Sequence, residues 1–174
     1  MANADQWCFC WLADNPHAVG AEKGALVKGA KWVPGDTITI SFLDGDARVQ
    51  ERVKNAALKW RKYANVVFSF YDTTDTDIRI SFREKGSWSM LGTTCRKETD
   101  HARPTMNFGW LKPGVDDEEL NRVVLHEFGH ALGLAHEHAN PSGEIRWKRK
   151  TVIEELKGPP HYWDEKKIEA NIFQ

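Results

Sequence analysis

The chain has 174 residues, 41% of them hydrophobic and 28% charged, with a formal net charge of −1 at pH 7. That length is about one domain with a core of its own, and near-neutrality gives no ground for a nucleic-acid partner or an anionic membrane surface. No apolar run approaches the roughly 20 residues of a membrane span.

Residues 1–35 carry Trp7, Trp11 and Trp32, several glycines and little periodicity, which reads as an irregular N-terminal arm with aromatic anchors. The start, Met1 to Gln6, has neither the basic head nor the apolar centre of a signal peptide. That leaves an intracellular location, or a secreted one with the leader removed. Three cysteines, Cys8, Cys10 and Cys95, make an odd count that argues against a complete disulfide framework. Cys8 and Cys10 are too close to bridge each other without strain. A bond from Cys95 to one of them stays open, as does, more remotely, a second metal site on all three. The usage leans towards a reducing compartment.

Residues 37–43 alternate β-branched and polar side chains, the pattern of a strand, and Asp44-Gly45 ends it. Val49, Val53, Ala56, Ala57 and Trp60 then recur at helical spacing across residues 48–63. Residues 66–71 and 77–82 read as two further strands. Strand, helix, strand in this order predicts a right-handed crossover within a mixed, twisted sheet. Ser87, Trp88, Ser89, Met90, Leu91 and Gly92 form a short strand after a loop, and residues 104–109 another. A peptide-binding protein needs a free sheet edge on which an extended chain can lie, and Ser87 to Gly92 is the candidate edge. Its plainer reading is a buried strand with no ligand contact.

Pro113-Gly114 breaks the chain, Asp116 is placed to cap a helix, and Glu119 follows three residues later. Leu120, Val124, Phe128 and Ala131 form an apolar stripe on that helix, with His126 and His130 pointing roughly the other way. The stretch from His126 to His136 reads H-E-x-x-H-x-x-G-x-x-H. Histidines four apart project from one helical face, so both imidazoles reach a single ion. Glu127 sits about 100° round from His126 and about 60° from His130 at 3.6 residues per turn, close enough to meet water at such an ion. Gly133 accepts the left-handed conformation that ends helices, and the reversal can return His136 to the metal. Three neutral imidazoles leave a fourth tetrahedral position open, as in a catalytic zinc centre rather than a structural one.

Several neighbours offer weaker alternatives. His138 could rival His136 as third ligand, although it lies past the motif spacing. Cys95 and His101 could suggest a Cys–His nucleophile, yet no orienting group or helix start accompanies them. Glu137 reads as an outer-shell or salt-bridging residue, and the eight tryptophans are scattered as for packing rather than for sugar stacking. Ser142-Gly143 marks a turn, and residues 147–156 and 164–172 read as two helices separated by Gly158-Pro159-Pro160. Seven Lys or Arg and six Asp or Glu in residues 141–174 make a solvated surface rather than a nucleic-acid patch.

Taken together, these residues resemble a metzincin zinc endopeptidase, nearest the astacin-like peptidase domains of fungi and bacteria. The resemblance rests on Phe42-Leu-Asp-Gly-Asp46, residues 77–82, Gly86-Ser-Trp-Ser89, residues 104–111 and His126 to His138, and it covers most of residues 36–140. It implies an α+β fold, with a twisted mixed sheet packed on an active-site helix and a backing helix, and a mostly helical C-terminal part. Residues 36–174 would form the peptidase domain, with residues up to 135 the upper subdomain and 136–174 a partial lower one. It further implies one Zn2+ held by His126, His130 and His136, Glu127 as general base for water, and a peptide antiparallel to the edge strand. A monomer acting on peptide or protein substrates is expected, with neither nucleic acid nor membrane as partner. The family also carries a methionine turn downstream of its third ligand. The methionines here are Met1, Met90 and Met106, all upstream. The alternative is therefore a weakly active or inactive zinc-binding metzincin-like protein, or a fragment that lacks this turn. Phe42 to Asp46 superficially resembles an inhibitory aspartate motif, but at the end of a core strand it reads as structure.

Overall fold

The computed structural model describes residues 8–11, 21–22, 26–27, 29–136, 147–158 and 162–173, with the side chains from residue 29 onward except those of residues 167, 170 and 171. Eight strands occur among them: β1 (Cys8–Trp11), β2 (Ala21–Glu22), β3 (Leu26–Val27), β4 (Thr37–Phe42), β5 (Val67–Phe70), β6 (Ile78–Ser81), β7 (Ser87–Met90) and β8 (Met106–Phe108). The helices are α1 (Ala47–Ala57), α2 (Asp117–Ala131), α3 (Arg149–Lys157) and α4 (Glu165–Ile172). Six strands form one sheet in the order β1-β7-β8-β6-β4-β5, and β2 pairs with β3 separately. All pairings in the large sheet are parallel except β7 with β8.

The elements expected from periodicity are present, with ends drawn in by a residue or two. α1 is shorter than the pattern suggested: it stops at Ala57 and continues as a 3-10 turn over Leu58–Lys62. Every residue of β6 is buried, as befits a strand with parallel neighbours on both sides and helices over the sheet. Val49, Val53, Ala56 and Ala57 of α1 meet Leu120, Val123, Val124, Phe128 and Ala131 of α2 in one core with Ile38, Ile40, Ile78 and Ile80. Removing each of the Val, Leu, Ile and Phe side chains from water stabilises the fold by about 1.5–3 kcal/mol before entropy is counted. The ring of Phe128 lies 5.4 Å from that of Phe68, tying the apolar face of α2 to the sheet. α3 and α4 pack on each other, with Arg149 bonded to Glu169 and lying over Phe173. Glu137, His138 and the turn at Ser142-Gly143 lie outside the described residues.

Two expectations change. The N-terminal arm is not wholly irregular, because Cys8–Trp11 adds to the sheet as β1. It pairs parallel with β7, Cys8 opposite Ser87 and Trp11 opposite Met90, so β7 has strand neighbours on both sides and is not a free edge. Ser87, Trp88, Ser89, Leu91 and Gly92 are buried accordingly and Met90 partly so.

The loop after β4 is structural, as read. Asp44 accepts hydrogen bonds from Ser81 Oγ and Phe82 N, and Asp46 caps α1 by accepting from Arg48 N. A second carboxylate stitches β4 to the start of β6. Asp77 accepts from Thr39 N, Thr39 Oγ1 and Arg96 Nε, while its own N–H donates to Thr39 Oγ1. Burial pushes the Asp77 carboxyl upward, but the Arg96 and Thr39 donors outweigh it and hold the group below the usual 3.8. A depressed folded value means the stabilisation is present above the unfolded pKa and lost as pH falls through the folded one. Asp77→Ala should cost about 1–3 kcal/mol in urea unfolding at pH 7. The gap between wild type and variant should close below about pH 4; a constant gap down to pH 2 would contradict the ionic role.

Candidate metal centre

α2 carries the first two histidines and is well defined at both ends. Asp116 accepts a hydrogen bond from Glu119 N, and Asp117, Glu118 and Glu119 place negative charge in the first turn, where the helix dipole favours it. The expected pairing with Glu119 is thus half realised: the Glu119 side chain turns instead to Trp110 Nε1 and Arg122. At the other end Gly133 N donates to His130 O, and Leu134 N to Gly129 O. That is a Schellman pair, with Gly133 at φ +100° supplying the left-handed residue. The chain reverses within three residues, and His136 comes back to the helix.

Nε2 of His130 lies 3.0 Å from Nε2 of His126 and 3.1 Å from that of His136, with 3.3 Å closing the triangle. Bonds of about 2.0–2.1 Å at tetrahedral angles would set zinc ligand nitrogens roughly 3.3 Å apart, so the triangle fits such an ion. The donor chemistry agrees. Nδ1–H of His130 donates to Leu134 O at 2.6 Å, which leaves the Nε2 lone pair of the neutral ring aimed at the other two. His126, open on the cleft side, still loses hydration, and this lowers its pKa from the ordinary 6.5; the charge of Arg122, one turn earlier, adds to the effect. Among the described residues this is the one cluster of three His, Cys, Asp or Glu side chains close enough to share an ion. Glu127, next to His126, is fully buried.

Two indoles hold α2 from outside the motif. Trp60 Nε1–H donates to Leu125 O at 3.0 Å, and Trp32 Nε1–H to Ala131 O at 2.8 Å, so one grips the helix just before His126 and the other just after His130. Sequence reasoning placed Trp60 on an apolar stripe and Trp32 in an arm. Neither position signals a partner 65 or 99 residues away. Beside the histidines lies an open cavity of about 280 Å³, lined by them and by Trp60, Leu125, Gly129, Leu134 and Ala135.

The rival nucleophile is not supported. Cys95 is buried, and burial together with the charge of Asp77 pushes its thiol up to about 12. His101 instead faces Asp75 at 3.4 Å.

Comparison with known proteins gives a consistent picture. The model of the peptidase family described as Astacin matches residues 26–155. Zinc metalloproteinase nas-30 of Caenorhabditis elegans is 27% identical over 148 residues, which cover 84% of this chain and 18% of that protein. Zinc metalloproteinase nas-24 of the same organism is 26% identical, over 88% of this chain and 39% of its own length. The chain thus spans well under half the length of these relatives. A solved structure of myroilysin superposes with a TM-score of 0.82 at 40% identity, covering 86% of this chain and 73% of the other.

If the three imidazoles hold one ion, zinc at 100 times its dissociation constant should add about 2.7 kcal/mol of stability to the wild type. The same zinc should add almost nothing to His130→Ala, while His101→Ala should match the wild type. Paired thermal melts with and without zinc check this; an unchanged response in His130→Ala would contradict the site.

Proposed function

Because the chain belongs to the astacin family of peptidases, we propose that it is a zinc-dependent endopeptidase whose general base is Glu127. The observation that carries this is the convergence of three imidazole Nε2 atoms on one point with a buried carboxylate on the adjacent residue. Bound there, zinc supplies a Lewis acid that polarises the scissile carbonyl and acidifies water.

The protein's own groups do the rest. His126, His130 and His136 present neutral nitrogens and keep a fourth direction open. The Leu134 carbonyl fixes the tautomer of His130. Glu127, held on the rigid middle of α2, accepts a proton from the attacking water at its carboxylate and returns it to the leaving amine nitrogen, so one group serves as base and then acid. Its burial limits exchange with bulk water and keeps the proton within the site.

Ser87 to Gly92, expected as a free edge, are buried or partly buried and offer an extended peptide no open strand edge. Since β1 occupies the outer side of β7, strand addition there requires that side to be vacated. The second reading is zinc binding without turnover.

Chelator-sensitive cleavage of an unfolded protein substrate separates the two. The zinc-loaded chain should cut it, and Glu127→Gln at equal zinc content should be slower by about 10²–10⁴-fold. A folded, zinc-loaded chain that cuts nothing would favour the binding-only reading.

A further inference from the structure

We propose that the Asp77–Arg96 ion pair is a positioning device for the metal centre, acting through the Trp32 indole on the turn that returns His136. This rests on zinc binding by the three imidazoles, and it holds whether or not the zinc-loaded chain cleaves peptides. The end of α2 shows where such a device can act, because the last carbonyls of a helix have no partner within it. Leu132 N, Gly133 N and Leu134 N take up those of Phe128, His130 and Gly129, and the Trp32 indole N–H takes that of Ala131 at 2.8 Å. Ala131 stands between His130 and the left-handed Gly133, so its carbonyl lies at the root of the turn. Without the indole that buried carbonyl would lack a donor, and the last turn of α2 would shift to find one.

A 3-10 helix, Gly92–Lys97, braces the segment that carries Trp32. Thr93 N donates to Ala30 O at 3.0 Å, and a Cβ on Gly92 would collide with that same oxygen, an approach only glycine permits. From the same 3-10 helix the Arg96 guanidinium lies over the indole, 4.6 Å from the ring centroid. A cation on one face resists rotation of the ring and keeps its N–H aimed at Ala131. Arg96 Nε in turn donates to Asp77 Oδ1 at 2.8 Å, while Asp77 Oδ2 accepts from Thr39 N and Oγ1. The path thus runs from β4 through a carboxylate, a guanidinium and an indole to the end of α2. The Arg96 side chain is 51% exposed, so solvent screens its share and keeps it modest. His126 and His130 are fixed by the body of α2, whereas His136 reaches them only through the turn. A looser turn therefore tells first on metal affinity, as loss of support behind a metal site does.

The test reads zinc affinity of the folded chain by chelator competition, and amide exchange of the zinc-free chain by NMR. Trp32→Phe keeps a ring beneath Arg96 but removes the N–H, and should weaken zinc binding by about 10-fold. Arg96→Met keeps an unbranched stem without the charge and should weaken it by about 2–5-fold. Arg96→Lys should recover part of that loss. Added to Trp32→Phe, Arg96→Met should cost nothing further, because the cation acts through the indole bond. Ile38→Val, a core change of about 0.5–1.5 kcal/mol away from this path, should leave zinc affinity unaltered. In the zinc-free chain the Gly133 and Leu134 amides should exchange faster in Trp32→Phe and Arg96→Met than in Ile38→Val. Zinc affinity unaltered in both variants, effects that multiply in the double variant, a loss matched by Ile38→Val, or turn amides no faster than in Ile38→Val would each overturn the proposal. A wild type that takes up no zinc would overturn the metal centre and this proposal with it, whereas one that binds zinc and cuts nothing would count against the peptidase reading alone.

Discussion

The reversal of the chain at the end of α2 is the constraint on which the rest depends. Histidines four apart come for the cost of forming a helix, but a third ligand has to return from outside it. Gly133 makes this possible by adopting φ +100°, and the two hydrogen bonds from Gly133 N and Leu134 N lock the turn. A residue with a Cβ at that position would be strained by roughly 1 kcal/mol or more. The larger consequence would be the misplacement of His136. The same turn delivers the Leu134 carbonyl to His130 Nδ1, so one local structure sets both the position of one histidine and the tautomer of another.

Packing makes that arrangement rigid. One face of α2 is committed to the core, through Leu120, Val124, Phe128 and Ala131, and the opposite face holds His126 and His130. The two tryptophan indoles add directional contacts at carbonyls that flank the ligand turn. Three imidazole nitrogens about 3 Å apart with lone pairs converging repel one another when no cation lies between them. The core and the turn therefore hold an arrangement that a bound divalent ion would relieve, which would couple metal binding to folding.

Much of this was legible in the sequence because it is local. The spacing of His126, His130, Gly133 and His136 states a helix, its end and a ligand set within eleven residues. The stripe from Leu120 to Ala131, the cap at Asp116 and the strands at Thr39 and Ile78 are likewise patterns of near neighbours. What was not legible is long-range. Cys8–Trp11 has no periodic signature, and its role as β1 depends on an edge almost eighty residues later. Trp32 and Trp60 are ordinary aromatics, one buried and one half-buried, until the fold brings α2 within reach of their N–H groups. The cavity has no sequence signal either, since Gly129 reads as a motif filler and acquires meaning only as a missing side chain between Trp60 and Leu134.

The claim that most needs a direct measurement is that three imidazoles and nothing softer hold the ion with one position open. Zinc K-edge X-ray absorption on the full chain loaded with one equivalent of zinc reads that shell. The account predicts four light scatterers at about 2.0–2.1 Å, three of them with the multiple-scattering pattern of imidazole. A scatterer at about 2.3 Å, which would be cysteine sulfur, or a fourth imidazole closing the shell, would contradict it.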